Sequence, residues 1–278
     1  MNVDGLERFL ISSPTYDPSW SVPQADYHLL AQRKTRYCVV IPVINENGKF
    51  QKQLCAMQEL GIPERADILI ADGGSNDGST DLTFLLSVGV RALLVKRDSG
   101  KLGAQLRIGY AFAMTEGYEG VITIDGNGKD SVESVPLFLE ALGRGVDYAQ
   151  GSRFIPGGQA VNTPPSRLLA IHLLYAPLVS LAARFRLTDT TNGFRAYSRR
   201  YLLHPQVQPF RQIFQTYGLL AYLSARASRL GLRVNEIPVA RRYPATGPIP
   251  TKITPFRGNL HMLHILFRLL TGQYDPPA

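Results

Sequence analysis

Residues 37–43 read Tyr-Cys-Val-Val-Ile-Pro-Val, a short β-branched run that begins a regular alternation of apolar and helical segments. Similar apolar runs follow at 67–71, 91–95, 120–124 and about 146–150. Segments with helical spacing separate them, at 50–61, 81–88, 101–116 and 132–142. Strands that alternate with helices predict an α/β fold with a mostly parallel sheet and right-handed crossovers.

The pattern changes after residue 151, where we expect additions to the same sheet. The predicted elements are a long apolar helix at 166–186, a short strand at 194–198 and a second helix at 211–230. A strand at 232–239 and a loop at 240–257 follow. A last helix, over 258–271, has one apolar face formed by Leu260, Leu263, His264, Phe267 and Leu270. Residues 1–36 are predicted to be an N-terminal extension, packed on the domain or partly loose.

The composition of the 278 residues is that of a globular protein, with 45% hydrophobic and 19% charged residues. These proportions exclude a disordered chain, and the lack of a fixed period excludes collagen and solenoid folds. Thirty Lys and Arg against 22 Asp and Glu leave a net charge of +8. This charge favours anionic partners: nucleotides, phosphorylated substrates, nucleic acid or an anionic membrane surface.

Cysteine use and hydropathy bear on location. Cys38 and Cys55 have neither metal-ligand spacing nor the density of a disulfide scaffold, so a reducing cytoplasm is the expectation. The N-terminus lacks the basic start and apolar run of a secretory signal. The most apolar stretch, 168–183, has 16 residues, fewer than the roughly 20 of a spanning helix, which leaves peripheral membrane association as an expectation.

Three acidic residues follow predicted strands at the point where each strand ends: Glu46, Asp72 and Asp125. Because ligands of a parallel α/β sheet bind beyond the carboxyl ends of its strands, these side chains are predicted to meet at one site. Any one of them alone is commonly a turn former. Carboxylates in a basic surround suit a nucleotide, since one can bind a base or ribose and another can hold Mg²⁺ or Mn²⁺ beside the phosphates.

Several other chemistries are excluded by spacing. The glycine-rich turn 72–78 lacks the Gly-x-Gly-x-x-Gly order of a dinucleotide site, and neither it nor 126–129 has P-loop spacing. The sequence has no His-x-x-x-His pair, Gly-x-Ser-x-Gly elbow or Cys/His pairing. These absences argue against hydride transfer, ATP hydrolysis and nucleophilic hydrolysis.

Longer motifs occur in a set order along residues 37–257. They are Val39-Val-Ile-Pro-Val-Ile-Asn-Glu46, Ala71-Asp-Gly-Gly-Ser-Asn-Asp-Gly-Ser-Thr80, Gly100-Lys-Leu-Gly-Ala104, Ile124-Asp-Gly-Asn-Gly128, Gly151-Ser-Arg-Phe154 and Asn192-Gly-Phe-Arg-Ala-Tyr197. This order resembles the inverting family 2 glycosyltransferases, and among them the dolichol-phosphate mannosyltransferase group. The resemblance implies a Rossmann-like sheet of the GT-A type, flanked by helices, over 37–257, with an amphipathic C-terminal helix and tail over 258–278.

The resemblance also implies a donor site. Pro42, Ile44 and Glu46 match positions that hold the donor base, and Asp72 matches one that holds the base or ribose. Ile44 replaces an aromatic residue that is common there, so stacking on the base is lost.

A metal site is implied at Asp125 and Asn127, which match the Asp-x-Asp positions for Mg²⁺ or Mn²⁺ and the donor diphosphate. Asn127 replaces the second carboxylate of that pattern, and Lys129 stands where a neutral Gln is common. A site with one fewer negative charge is expected to bind metal more weakly, with Lys129 or Asp130 offsetting the difference.

Basic residues are implied to bind acceptor and donor phosphates: Arg153, Arg167, Arg242 and Lys252. The implied reaction is a single inverting displacement, in which Asp125 and Arg153 are catalytic and the charge of the leaving diphosphate is neutralised. Asp189 is the candidate general base if the acceptor is a hydroxyl, and its alternative role is that of a turn former.

The function implied is sugar transfer from a nucleotide-sugar to a polyprenyl phosphate at the cytoplasmic membrane face. Two alternatives remain open: transfer onto a glycan or lipid hydroxyl, and a nucleotide-sugar-binding protein without catalysis. The apolar stripes of helices 166–186 and 258–271 fit either core packing or an anionic membrane surface. The basic segment 195–201 has no nucleic-acid-binding motif around it, so no nucleic-acid partner is predicted.

Overall fold

The computed structural model describes residues 9–245 and 255–277. Within these ranges it contains ten strands, numbered in chain order: β1 (Ala25–Leu29), β2 (Tyr37–Val43), β3 (Asp67–Asp72), β4 (Val90–Lys96), β5 (Gly120–Thr123), β6 (Tyr148–Ser152), β7 (Gln159–Val161), β8 (Arg195–Ser198), β9 (Val234–Pro238) and β10 (Ala240–Arg242). Eight of them form one sheet in the order β1-β4-β3-β2-β5-β8-β6-β9, and β7 pairs with β10 in a second, two-stranded sheet.

The large sheet is mostly parallel, which confirms the prediction. β2 lies between β3 and β5 in parallel register, β4 continues the sheet beyond β3, and β9 pairs in parallel with β6. Antiparallel pairs occur where β1 joins β4 and where β8 lies between β5 and β6. β2 and β3 are buried on both faces, which explains why their sequences are continuous apolar runs instead of alternating ones.

Helices cover both faces of the sheet. They are α1 (Asn47–Glu59), α2 (Leu82–Ser87), α3 (Leu102–Thr115), α4 (Val135–Gly143), α5 (Pro165–Ala183), α6 (Arg199–Leu202), α7 (Gly218–Arg229) and α8 (Pro255–Leu270). One core cluster joins the sheet to α3, α5, α7 and α8, and another joins it to α1, α2 and α4. At Gly109 of α3 an added Cβ would lie 2.6 Å from Val40 Cγ1, so glycine allows this helix to lie close to the sheet.

Some predicted boundaries are wrong. The N-terminal extension contributes the edge strand β1, which the sequence analysis missed because this strand depends on pairing with β4, distant in the sequence. The helix predicted over 211–230 begins at Gly218, and the predicted loop 240–257 contains β10 and the start of α8. β10 has only three residues and is paired with β7, so the local sequence pattern does not signal it.

The helix α5 is longer than the apolar stretch that the sequence analysis identified. It spans 19 residues and is long and apolar enough to cross a membrane. Only 22% of its most apolar window is buried in the fold, unlike the helix of a protein core. Its middle, Ile171–Tyr175, has π-helical hydrogen bonding. The expectation that this stretch is too short to span therefore needs correction, while length and composition alone do not separate spanning from surface binding.

Candidate active site

Two loops at the carboxyl ends of β2 and β3 are joined by hydrogen bonds. The backbone N–H of Asn45, which has a φ of +49°, donates to Ser75 Oγ at 3.0 Å, and Asn45 Oδ1 accepts from the Asn76 N–H at 2.9 Å. The Asn47 N–H donates to Asp77 Oδ2 at 2.9 Å. Asparagine adopts the left-handed backbone conformation more readily than most residues, which suits it to this turn. The loops therefore form one connected rim at the sheet edge.

The predicted donor residues are placed along this rim. Pro42 is buried within β2, and Ile44 and Glu46 are half-buried in the loop that follows. Asp72 is 1% exposed, and its carboxylate accepts hydrogen bonds from the Ser75 N–H at 3.0 Å and the Ser75 hydroxyl at 2.6 Å. Asp72 therefore stabilises the turn in this structure, and its contact with a donor base or ribose stays a prediction.

Asp125 begins the loop after β5 and lies at the centre of the site. Its side chain is 25% exposed, and Oδ2 lies 3.2 Å from Arg241 Nη2 and 3.4 Å from the donating Asn127 Nδ2. The other face of the carboxylate packs against Gly193, where an added Cβ would lie 2.5 Å from Oδ1. The glycine of the Asn-Gly-Phe motif therefore leaves the space that the Asp125 carboxylate occupies.

Arg241, which the sequence analysis missed, holds the loop 125–130 in place. Its guanidinium donates to Asp125 and to Asp130, whose side chain is fully buried. The backbones of residues 130 and 241 form an antiparallel bridge. Burial alone would lower the pKa of Arg241, but the two carboxylates outweigh burial and raise this pKa above its usual value. Arg241 therefore stays charged and fixes both acids.

Strand geometry separates Arg241 from its neighbour Arg242. Successive side chains of a strand point to opposite faces, so Arg241 is buried against the carboxylates whereas Arg242 is exposed. Arg242, the predicted phosphate ligand, lines a cavity of about 260 Å³. The other lining residues are Lys49, Asn127, Gly128, Lys129, Tyr243 and Pro244. Had the segment been recognised as a strand, its period of two would have indicated Arg241.

Three cations surround the ring of Tyr243, and we call them, with Arg242, the cation cluster. Lys129 Nζ and the guanidinium carbons of Arg167 and Arg241 lie 5.4, 5.4 and 5.9 Å from the ring centroid. Arg167 Nη1 also donates to the Tyr243 hydroxyl at 2.7 Å.

The charges of the cation cluster act on one another. Burial raises the pKa of Tyr243, but Arg241 and Arg167 outweigh it and lower this pKa. Burial and the charge of Arg241 lower the pKa of Lys129. A phosphate group would relieve this repulsion, so the cluster is an electropositive surface suited to phosphate beside Asp125.

Arg153 and Asp189 form a buried ion pair. Arg153 Nε and Nη2 donate to the two carboxylate oxygens at 2.6 and 2.8 Å, and the side chains are 1% and 0% exposed. Arg153 Nη1 is buried without a hydrogen-bond partner among the described residues, and contact of Arg153 with a phosphate stays a prediction. The Asp189 carboxylate is enclosed and accepts hydrogen bonds from Arg153 at both oxygens, so in this structure it positions Arg153, and its role as general base stays a prediction.

The described residues form a poor set of ligands for a divalent metal ion. Asp125 offers a carboxylate that it shares with Arg241, and Asn127 offers an amide oxygen that already accepts the Lys129 N–H at 3.2 Å. No group of three or more His, Cys, Asp or Glu side chains that could hold a metal occurs in the described part of the chain. Where Mg²⁺ binds beside phosphates, one or two protein carboxylates and the phosphates of the substrate hold it, so without a donor diphosphate this set does not hold an ion tightly.

The predicted phosphate ligands are only partly brought together. Arg167 and Arg242 lie in the cation cluster beside Asp125. Burial raises the pKa of Asp130, and the charges of Arg241 and, more weakly, of Arg153 oppose this shift, so Arg153 lies near the same loop. Lys252 lies outside the described residues.

The mostly parallel sheet, with an acidic loop and a cation cluster at its carboxyl edge, has the GT-A fold of glycosyltransferases. Solved structures share this fold. Glucosyl-3-phosphoglycerate synthase from Mycobacterium tuberculosis, in complex with Mn²⁺, uridine diphosphate and phosphoglyceric acid, aligns with a TM-score of 0.61 at 17% identity, covering 100% of this chain and 84% of that one.

Relatives that are more similar in sequence identify the family. Undecaprenyl-phosphate mannosyltransferase of Micrococcus luteus is 31% identical over 208 residues, which cover 73% of this chain and 82% of the relative. Polyprenol monophosphomannose synthase of Mycolicibacterium smegmatis is 29% identical over 211 residues, which cover 73% and 76%. No protein-family model matches the chain. The chain belongs to the polyprenyl-phosphate glycosyltransferase group of the inverting family 2 glycosyltransferases.

Proposed function

We propose that the chain transfers a sugar from a nucleotide-sugar donor to a polyprenyl phosphate, with inversion at the anomeric carbon. The observation that carries the proposal is the position of Asp125 beside the cation cluster, at the carboxyl edge of the sheet. Such a surface can bind both a donor diphosphate and an acceptor phosphate. The relatives are named for mannose transfer to undecaprenyl phosphate and for polyprenol monophosphomannose synthesis, which supports a lipid phosphate as acceptor.

The transfer is a single displacement. An ionised oxygen of the acceptor phosphate forms a bond to the anomeric carbon while the bond from that carbon to the donor diphosphate breaks. The nucleoside diphosphate leaves with the bonding electron pair, and the cation cluster stabilises the charge that develops on it. Arg153, predicted from the sequence as a phosphate ligand, is buried beside Asp189 in this structure and is assigned no contact in this step.

The buried Asp189 favours a phosphate acceptor over a hydroxyl. A hydroxyl must lose a proton during the attack and so needs a positioned base, whereas a phosphate oxygen is already ionised at neutral pH. The carboxylate predicted as that base is fully buried and bound at both oxygens by Arg153. Sugar transfer onto a glycan or lipid hydroxyl is therefore the weaker alternative.

The divalent ion predicted from the sequence stays a prediction for this chain. The mycobacterial synthase was solved with Mn²⁺, which supports an ion in proteins of this fold. When bound beside Asp125 and Asn127, Mg²⁺ or Mn²⁺ would add positive charge at the diphosphate. Because the ligand set here does not fit a tightly held ion, we assign no step of the transfer to it.

Peripheral membrane contact is part of the proposal, and its support is an exposed apolar surface on α5 and α8. Leu169, Leu173 and Leu181 of α5 are 61%, 70% and 68% exposed, and Leu260 and Phe267 of α8 are 61% and 57% exposed. The two helices pack against each other. Exposed apolar side chains gathered on neighbouring helices indicate an interaction surface.

Charge and position favour an anionic bilayer as the partner of this surface. Arg184 and Arg186 are exposed at the end of α5, where basic side chains would lie near lipid head groups. Arg167, near the start of α5, is a member of the cation cluster and donates to the Tyr243 hydroxyl. The helix that would lie on the bilayer therefore also carries a phosphate ligand of the site. The cytoplasmic side of the membrane stays a prediction.

Transfer is tested with purified protein, GDP-mannose or UDP-glucose, and undecaprenyl phosphate, with mass spectrometry of the lipid product. We expect a product that mild acid cleaves, because a glycosyl phosphate is acid-labile. Asp125→Asn should lower the rate by about 100-fold or more, whereas Glu59→Gln, on an exposed site of α1, should leave it unchanged. An acid-stable product would favour a hydroxyl acceptor, and donor binding without transfer would favour a binding protein.

Membrane contact is tested by vesicle flotation. We expect the chain to float with vesicles containing phosphatidylglycerol and Leu173→Asp to lose this binding. Leu86→Asp is the matched control, because Leu86 is a 56% exposed leucine on α2, which packs in the other core cluster. Equal loss in both variants, or no binding by the unaltered chain, would contradict the membrane surface.

A further inference from the structure

The loop 125–130 and its contacts already carry the positive charge that a metal ion would bring. Asp125 and Asp130 both accept hydrogen bonds from Arg241. Lys129, between them, is half-buried and lines the cavity that Asn127 and Arg242 also line. Two carboxylates are thus matched by two cations before any ligand binds.

A divalent ion and a diphosphate would meet this loop differently. The ion would bring a charge of +2 next to the cations Arg241 and Lys129. Its ligand would be the Asp125 carboxylate, which Arg241 already binds, and the neighbouring Asp130 is fully buried. A diphosphate that enters alone would meet Lys129 and Arg242 and would be attracted without an added ion. The electrostatics of the loop therefore favour the anion over the cation.

The two unusual residues of this loop change its charge in the same direction. Compared with the Asp-x-Asp pattern followed by a neutral residue, Asn127 removes one negative charge and Lys129 adds one positive charge. The combined change equals the charge of one Mg²⁺ or Mn²⁺ ion. A single such substitution would weaken a metal site, whereas both together replace its charge.

We propose that Lys129 is a donor-binding residue whose ammonium contacts the diphosphate, and that donor binding by this chain does not require a divalent ion. Arg241 is a positioning residue, because it holds the loop that carries Lys129 and does so through the buried Asp130. The inference rests on the proposed function, since it takes the cavity as the donor diphosphate site. An ion that binds adds to this charge without being essential.

The test is calorimetric binding of GDP and of UDP to the purified chain, in EDTA and in Mn²⁺. We expect one of the two to bind in EDTA, with an affinity within about threefold of that in Mn²⁺. Lys129→Gln should lose about 10- to 100-fold of the affinity in EDTA, as expected for one charge-assisted hydrogen bond, and should recover part of it in Mn²⁺. Lys52→Gln, an exposed lysine on α1, is the matched control.

A second variant guards against misfolding as the cause of the loss. Lys129→Arg keeps the charge and should retain binding in EDTA, whereas a fold defect at this position would affect both variants. Binding of a nucleoside diphosphate by the unaltered chain only in Mn²⁺, or equal affinities for the unaltered chain and Lys129→Gln in EDTA, would overturn the inference and leave the proposed function standing. No binding of either nucleotide in either condition would contradict the proposed function itself.

Transfer from the nucleotide-sugar to undecaprenyl phosphate supplies an independent readout. The unaltered chain should keep most of its rate in EDTA, and Lys129→Gln should become dependent on Mn²⁺. A rate that EDTA abolishes in the unaltered chain would count against the inference, because the cations of the chain would then not suffice.

Discussion

Arg241 Nη2 lies 3.2 Å from Asp125 Oδ2, across 116 positions of sequence, while Nη1 of the same guanidinium donates to the buried Asp130. One side chain from β10 therefore binds both acids of the loop that follows β5. This relationship links the late segment 240–243 to the centre of the site. It also explains why the geometry of the acidic loop depends on the second half of the chain.

Arg241→Gln should destabilise the fold, because it leaves the fully buried Asp130 without its counter-charge. We expect the free energy of unfolding to fall by about 3 kcal/mol or more. The double variant Arg241→Gln with Asp130→Asn should recover much of this loss, since it leaves no unpaired buried charge. Arg242→Gln, at an exposed position, should change stability by at most about 0.5 kcal/mol. Urea unfolding measures all three, and equal effects at 241 and 242 would contradict the role of Arg241.

Asp189→Asn should also lower the free energy of unfolding, by about 3–5 kcal/mol, because Arg153 would then be a buried cation with a neutral partner. The matched control is Glu119→Gln, which removes the partner of Arg36 in an exposed pair and should leave stability nearly unchanged. Denaturant unfolding of both variants is the measurement. A stable Asp189→Asn variant that loses transfer at neutral pH would instead support a general base.

Gly193→Ala should lower transfer more than it lowers stability. The added Cβ would lie 2.5 Å from Asp125 Oδ1, so the carboxylate must move away from its position beside the cation cluster. Gly143→Ala is the control, since nothing lies within 4 Å of its Cβ position, and in a helix the change should stabilise by up to about 1 kcal/mol. Initial rates and melting temperatures of the two variants check this. Normal transfer by Gly193→Ala would show that the position of Asp125 is not critical.

The stability of the fold should depend on pH through Asp147. Its carboxylate accepts from the Ser198 hydroxyl at 2.8 Å and the Arg233 N–H at 2.9 Å, and it pairs with Arg200. Burial alone would raise the pKa of Asp147, but these contacts outweigh burial and lower it.

A lowered folded-state pKa stabilises the fold above the unfolded value of about 3.9, and this contribution disappears as the pH falls through the folded value. Asp147→Asn should therefore be less stable than the unaltered chain at pH 7, with a difference that shrinks below about pH 4. Urea unfolding across pH 3–7 measures the difference. A difference that stays constant with pH would contradict the ionised contacts.

Much of the sheet and part of the site could be predicted. The apolar runs gave β2, β3 and β5 to within a residue or two, and the motif order placed Asp125 and Asn127 together. Arg241 and Tyr243 were missed, since they lie in and just after a three-residue strand that looks like a loop in the sequence. The ion pair between Asp189 and Arg153 was not predicted, because burial and ion pairing are not visible along the chain.

The sequence by itself determined the α/β fold and the family, because β-branched runs, helical spacing and turn glycines act over short distances that a sequence pattern records. Only the tertiary structure decided which charges meet. Arg241 binds Asp125 because β10 packs against the end of a strand that is distant in the sequence. In the same way, Arg153 binds Asp189 because the segment before β8 packs against a strand end. The strength of these pairs depends on burial, and burial is a property of the assembled fold.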